Sequence, residues 1–286
     1  MGVSAVKSIL LCIVCLLSLP NTCVQALEDR PSGTSEVPFT LIHDFLIVVQ
    51  GSIGNLTGLK FILDTGTTNS MVDRRLARRL GVQLHRNQVF DFARFIPIES
   101  GVFARIEFGP IQLTNLSMFV ADLSRISEFA TDADALIGSD LLTLNNFSID
   151  YDANKVLFSP RERPALSANL HPVSLIVELQ VQGQPVDLLV DTGIEGIVMV
   201  ENRLRDRLPR LRMSEERTEG SLGGIRAKWA TLQEAHLGPI ALDPRVLLVK
   251  GPPGNFMQGI YGFFGIASLK AHCVDFNFRN GRLSWR

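Results

Sequence analysis

Apolar positions along this chain come in short runs that alternate or cluster around turn residues, and each half of the sequence reads as β-rich. Residues 41–50 and 59–63 flank the Gly51–Gly58 turn region in the manner of a hairpin. Leu175 to Val181 and Pro185 to Val190 flank Gln182-Gly183-Gln184 in the same way. Helical spacing is short in both halves: Val72 to Leu80 stops at Gly81, and Glu201 to Leu208 stops before Pro209. Short strands, a glycine-centred apolar element and a final strand pair follow each helix.

The order of landmarks repeats. Asp64-Thr65-Gly66 follows the apolar run Phe61-Ile62-Leu63, and Asp191-Thr192-Gly193 follows Leu188-Leu189-Val190, 127 residues later. Phe108-Gly109-Pro110-Ile111-Gln112-Leu113 returns as Leu237-Gly238-Pro239-Ile240-Ala241-Leu242, and Leu136-Ile137-Gly138 as Phe263-Phe264-Gly265. Ser148-Ile149-Asp150-Tyr151 returns as Cys273-Val274-Asp275-Phe276. Any one tripeptide is expected in roughly one chain in fifteen of this length, so two copies with matched surroundings predict an internal duplication.

Composition narrows the setting. Lys7, the apolar run from Ile9 to Leu19, Pro20 and the small residues of Val24-Gln25-Ala26 form the pattern of a signal peptide cleaved after Ala26. The run falls short of the roughly 20 apolar residues a bilayer span needs. Cleavage there removes Cys12, Cys15 and Cys23 and leaves Cys273, so no internal disulfide is expected. A formal net charge of −1 argues against nucleic acid as a partner. The chain divides into a signal peptide at 1–26, a loosely ordered lead-in at 27–39, a first lobe at 40–158, a linker at 159–172 that holds three prolines, and a second lobe at 173–286. The expected location is secreted or periplasmic and cell-envelope, with no stable membrane insertion after cleavage.

Asp64 and Asp191 on identical turns are the candidate chemistry. Two carboxylates in contact cannot both ionise cheaply, so the pair holds one proton with split apparent pKa values. The ionised member can take a proton from water while the other donates to a developing oxyanion and then to the leaving amine. No metal or cofactor is needed for that chemistry. Thr67 carries a hydroxyl able to donate to Asp64, whereas Ile194 at the matching position cannot donate to Asp191. On this basis Asp64 is expected to be the ionised partner.

These motifs resemble tandem retropepsin-like aspartyl proteases of the pepsin and retropepsin superfamily, of a bacterial secreted type. The likeness is carried by Ile62-Leu63-Asp64-Thr65-Gly66-Thr67, the arginine-rich helix ending Leu80-Gly81, Leu136-Ile137-Gly138-Ser139-Asp140-Leu141-Leu142, and Ile149-Asp150-Tyr151 with Lys155-Val156-Leu157-Phe158. It spans roughly residues 40–286 and is looser in the second half, where Ile194 departs from the small or hydroxyl residue usual in the family. The resemblance implies an all-β fold of two retropepsin-like closed β-barrel lobes in one chain, related by a pseudo-two-fold axis in a pepsin-like bilobal arrangement, with short helices. It implies an aspartic endopeptidase with Asp64 and Asp191 catalytic, supported by Thr65, Gly66, Thr67, Thr192 and Gly193. Thr65 and Thr192 are expected to bond across the lobe interface. Substrate-binding flaps are implied around Phe92 and Phe95 in the first half and Gly220, Gly223 and Gly224 in the second. The expected partner is an extended peptide bound by strand addition, with the chain acting as a monomer that forms an intramolecular pseudo-dimer. The alternative is a non-catalytic peptide-binding protein that keeps the fold.

Other candidates carry less. His43, His85, His171, His236 and His272 lack ligand spacing, and no metal site is expected. Arg74, Arg75, Arg78 and Arg79 read as a solvated helix face, and Asp132-Ala133-Asp134 as a solvated loop.

Overall fold

The computed structural model describes residues 35–91, 94–126, 132–158, 166–171, 175–208, 211–222, 225–251 and 259–286. At 57% strand and 12% helix, the chain builds its core from strands, with helices of at most two turns at their ends.

Two hairpins set the frame. Leu46–Ile53 and Leu56–Leu63 pair antiparallel across a two-residue turn, Gly54-Asn55, with Gly54 at φ 61°. The turn is tighter than the predicted Gly51–Gly58 region because Gly51 belongs to the strand: a Cβ there would overlap the Phe61 ring. In the second half Ile176–Val181 and Gln184–Asp191 pair across Gln182-Gly183, both at positive φ (50° and 71°), the geometry of a primed hairpin turn. Each hairpin then receives a parallel neighbour. Leu56–Leu63 pairs with Ala135–Ile137 in the register Leu63↔Ile137, and Gln184–Asp191 pairs with Gly262–Gly265 in the register Asp191↔Gly265. The same neighbours pair antiparallel with Met71–Asp73 and Ile197–Val200 on their other sides. The aspartates thus leave their strands at the edge of a buried three-strand layer in each half.

The ring of pairings in the first half is uneven. It returns from Arg94–Phe108 to Leu46–Ile53 through Ser52↔Glu107 and Ile53↔Ile106 alone. In the second half the corresponding return uses a separate strand, Ala235–Leu237, through Gln180↔His236 and Val181↔Ala235.

A six-stranded antiparallel sheet joins the halves. Its order is Ser35–Ile42, Lys155–Phe158, Phe147–Asp150, Cys273–Asn277, Arg282–Trp285 and Leu166–His171. Two expectations change here. Residues 35–39, read as part of a loose lead-in, are strand: Val37 and Phe39 are buried between exposed Glu36, Pro38 and Thr40. Residues 166–171, read within the linker, are strand: 166–169 pair with Trp285 through Arg282, and 170–171 with Val177 and Ile176. In this sheet both are outer strands whose partners lie more than a hundred residues away, which local composition does not register, while residues 39–42 pair locally with Leu46–Ile53. At the centre, Phe147 stacks on Phe276 with ring centroids 4.6 Å apart, and Asn146 Nδ2 donates to Asn277 Oδ1 at 3.0 Å. Ser148 Oγ also bonds Asp275. One apolar core cluster runs through residues of both halves.

The first helix is Arg74–Arg79, shorter than predicted because Val72 continues the strand Met71–Asp73. Asp73 caps it by accepting from Arg75 N at 2.8 Å, and Gly81 at φ 67° ends it. On that helix Arg74 pairs with Glu99 and Arg75 with Asp73. One-turn helices follow at Leu123–Ile126 and Ser139–Leu142, and the helix expected in the second half is Glu201–Arg207. Asp132 pairs with Lys60 Nζ, and Asp134 accepts from Lys60 N, so this acidic turn braces the strand that leads to Asp64. Among the described residues no helix is long and apolar enough to cross a membrane.

Candidate active site

The two Asp-Thr-Gly turns meet and interlock. Thr65 Oγ1 donates to the Val190 carbonyl at 2.9 Å and accepts from Thr192 N at 3.1 Å. Thr192 Oγ1 donates to the Leu63 carbonyl at 2.8 Å and accepts from Thr65 N at 3.0 Å. Each threonine therefore uses its hydroxyl twice, and all four bonds cross from one half to the other. Both threonines are buried, so each bond stands where water cannot replace it.

Glycine follows because the opposite aspartate occupies the adjacent space. A Cβ on Gly66 would overlap the Asp191 carboxyl group, and one on Gly193 would lie 3.1 Å from Asp64 Cγ and Oδ2. With no side chain in the way, Gly66 N donates to Asp64 Oδ1 at 2.9 Å and Gly193 N to Asp191 Oδ1 at 2.6 Å. Thr67 Oγ1 adds a bond to Asp64 Oδ2 at 3.0 Å, while Ile194 is buried at the corresponding place in the other half.

Asp64 and Asp191 are 1% and 0% exposed, so their charges feel one another through little water. Burial first, and Asp191 second, hold the Asp64 carboxyl well above the usual carboxylate range; Thr67 and Gly66 N pull the other way and are outweighed. Thr67 pulls Asp64 toward its ionised form in the direction expected, within a pair that burial presses to retain a proton. This fixes a pH dependence. Between about pH 3.9, where an unfolded aspartate ionises, and the higher folded value, the native state holds a proton the unfolded state has lost. Stability contributed by Asp64 is full below that window and falls as pH rises through it. Asp140, raised by burial, adds a slope of the same sign. Thermal melts from pH 4 to 8 are expected to show a shallower decline for Asp64→Asn than for the unaltered chain; parallel curves would contradict the assignment.

The remaining sequence candidates belong to two hairpins, of which the structure describes part. His85–Asp91 and the start of Arg94–Phe108 form a hairpin in which Phe90 pairs with Phe95 and Asp91 with Arg94. Phe92 lies outside the described residues, and Phe95 is placed by its backbone only. In the second half Gly220 sits in the strand Met213–Leu222 opposite Ala227, and Gly223 and Gly224 lie outside the described residues. A depression of about 610 Å³ opens at the edge of the joining sheet, lined by Asp150, Asp152, Ala153, His272, Cys273 and Arg286, and shares nothing with the aspartate turns. Burial first, then Asp275, pushes the Cys273 thiol up to about 12, which removes it as a nucleophile near neutral pH. Among the described residues no three His, Cys, Asp or Glu side chains converge as metal ligands.

Sequence reasoning passed over Asp140 and Ser70. Asp140 accepts from Ser70 N at 3.0 Å through both carboxylate oxygens and from Ser70 Oγ at 2.7 Å. The signal was an acid in an otherwise apolar repeat, Leu136-Ile137-Gly138-Ser139-Asp140, whose counterpart is Phe263-Phe264-Gly265-Ile266-Ala267.

Residues 49–141 match the family model described as Aspartyl protease, a stretch that contains Asp64 and ends before Asp191. The match supports an aspartyl protease family for this chain and points to peptidase activity. No curated protein matches the chain.

Proposed function

We propose that the chain is an exported aspartic endopeptidase in which Asp64 and Asp191 act as one catalytic dyad. The observation that carries this reading is the four-bond interlock of Thr65 and Thr192, which presses two acid-bearing turns together at a cost in electrostatic repulsion. A module that only binds peptides has no use for that repulsion. In this reading the two halves are duplicated retropepsin-like lobes, each a β-barrel, related by a pseudo-two-fold axis in a monomer. Asp64 and Asp191 share a proton and position a water. The ionised member takes a proton from the water as the water oxygen bonds the scissile carbonyl carbon, and the protonated member gives its proton to the carbonyl oxygen. The proton taken from the water passes to the departing amine as the C–N bond breaks and the carboxyl product forms, its hydroxyl proton returning to the pair. Thr65, Gly66, Thr67, Thr192 and Gly193 hold that geometry. The near-zero exposure of both carboxyls calls for an open form, reached when the hairpins bearing Phe92 and Phe95 on one side and Gly220, Gly223 and Gly224 on the other part to admit an extended peptide. The signal-like N-terminus supports export.

The second reading, peptide binding without turnover, is favoured by Ile194, an apolar residue at the position from which Thr67 donates to Asp64. Incubation with a peptide library between pH 3 and 7, with and without a pepstatin-type inhibitor, separates the two. Inhibitor-sensitive cleavage is expected; retention of peptides without cleavage at any pH would favour the binding reading.

A further inference from the structure

We infer that Asp140 is a positioning residue for the Asp64 side of the pair, clamping the loop 67–70 so that the Thr67 hydroxyl stays on the Asp64 carboxylate. The inference rests on the proposed dyad and adds to it a residue outside the Asp-Thr-Gly turns.

The clamp is built from named bonds. Asp140 accepts from Ser70 N and Ser70 Oγ at one end of the loop and from Leu141 N at 3.0 Å on its own helix. Ser70 Oγ in turn accepts from Gly138 N at 2.9 Å. At the other end, Ser139 N donates to the Thr67 carbonyl at 2.8 Å. Gly138 lies so close beneath the loop that a Cβ would stand 2.7 Å from the Thr67 carbonyl oxygen and 3.0 Å from the Asn69 backbone. Thr67 is thereby held by its backbone while its hydroxyl reaches Asp64 Oδ2 at 3.0 Å.

The other half shows that docking this loop does not require a carboxylate. There Ile197 and Ala267 stand 127 residues after Ser70 and Asp140, and a backbone bond from Gly265 N to the Gly196 carbonyl at 2.9 Å is in place. That half has Ile194 where the first has Thr67, and so no hydroxyl to aim. Asp140 is partly buried, and desolvating a carboxylate is costly. That carboxylate occurs in the half where a side-chain donor must be held on the reacting acid.

The test uses the full chain with Asp140→Ala, Asp140→Asn and Ser70→Ala. Asp140→Ala is expected to lower kcat on the order of 10- to 100-fold with KM within about twofold. It is also expected to move the acidic limb of the pH–rate profile upward. Asp140→Asn, which keeps an acceptor for Ser70, should restore most of the activity, with Ser70→Ala in between. The Asp64 carboxyl, followed by carbon-13 NMR titration, should titrate at higher pH in Asp140→Ala and Ser70→Ala than in the unaltered chain. A lowered melting temperature with an unmoved Asp64 titration would overturn the inference and leave Asp140 a purely structural residue. If Asp140→Ala does not fold, Ser70→Ala and Asp140→Asn carry the same readouts. If the unaltered chain cleaves no peptide, the hydrolase reading fails, and the NMR titration still decides the role of Asp140.

Discussion

Replacing Asp64 with asparagine is expected to lower kcat/KM for peptide cleavage by about 10⁴-fold, and replacing Asp191 by a similar factor. Asparagine has nearly the shape of aspartate: its Oδ1 can still accept from Gly66 N, and its Nδ2 can donate to the Thr67 hydroxyl oxygen, which turns its own proton away, so the turn survives. What it lacks is a proton to exchange. With one carboxyl gone, the pair can no longer both activate water and protonate the leaving group, and neither step has another acid within the interlocked turns. Lost folding does not account for the effect. Burial and Asp191 already disfavour the charged form of Asp64, so a neutral side chain there relieves that penalty. The melting temperature at neutral pH is expected to hold or rise while activity disappears. Steady-state kinetics and a thermal melt on the same sample check both halves of the statement.

The second large effect is on stability. Thr192→Val removes the hydroxyl that accepts from Thr65 N and donates to the Leu63 carbonyl, and leaves both backbone groups unpaired in a buried interface. At about 1–3 kcal/mol for each orphaned group, the cost is roughly 2–6 kcal/mol. For a chain of this size that corresponds to a fall in melting temperature of roughly 5–20 °C. Thr65→Val, which strands Thr192 N and the Val190 carbonyl, should cost as much by the same reasoning. Thr192→Ser keeps the hydroxyl and should recover most of the loss. Equal melting temperatures for Thr192→Val and the unaltered chain would show that the crossing bonds contribute nothing net.

What could be read from residue order was whatever repeats locally. The doubled Asp-Thr-Gly, the hairpin turns and the helix stops at Gly81 and Pro209 are short-range patterns, and each names its own backbone geometry. The strands Ser35–Ile42 and Leu166–His171 were harder, because an outer strand is defined by its partner. Their partners in the joining sheet, Lys155–Phe158 and Arg282–Trp285, lie at the far ends of the two halves, and only the second part of each strand has a neighbour close in sequence. Gly51 looked like turn punctuation and is a groove for the Phe61 ring, a contact between neighbouring strands that a glycine count cannot show. Asp140 was hidden for a similar reason. Its partner Ser70 is 70 residues away, and only the break in the repeat at Ala267 marks it as unusual. The hydroxyl of Thr67 was legible and its bond to Asp64 is present, whereas the burial that dominates the carboxyl depends on residues packed from across the fold.

The decisive measurement is complementation between damaged chains. Asp64→Asn and Asp191→Asn chains are unfolded together in equal amounts, refolded, and assayed for peptide cleavage beside the unaltered chain. With both acids of a working centre drawn from one chain, the unaltered protein cleaves and the mixture stays at the level of the single variants. Activity regained on mixing would place the two acids on different chains. Full activity in either variant alone would remove the pair from the chemistry altogether.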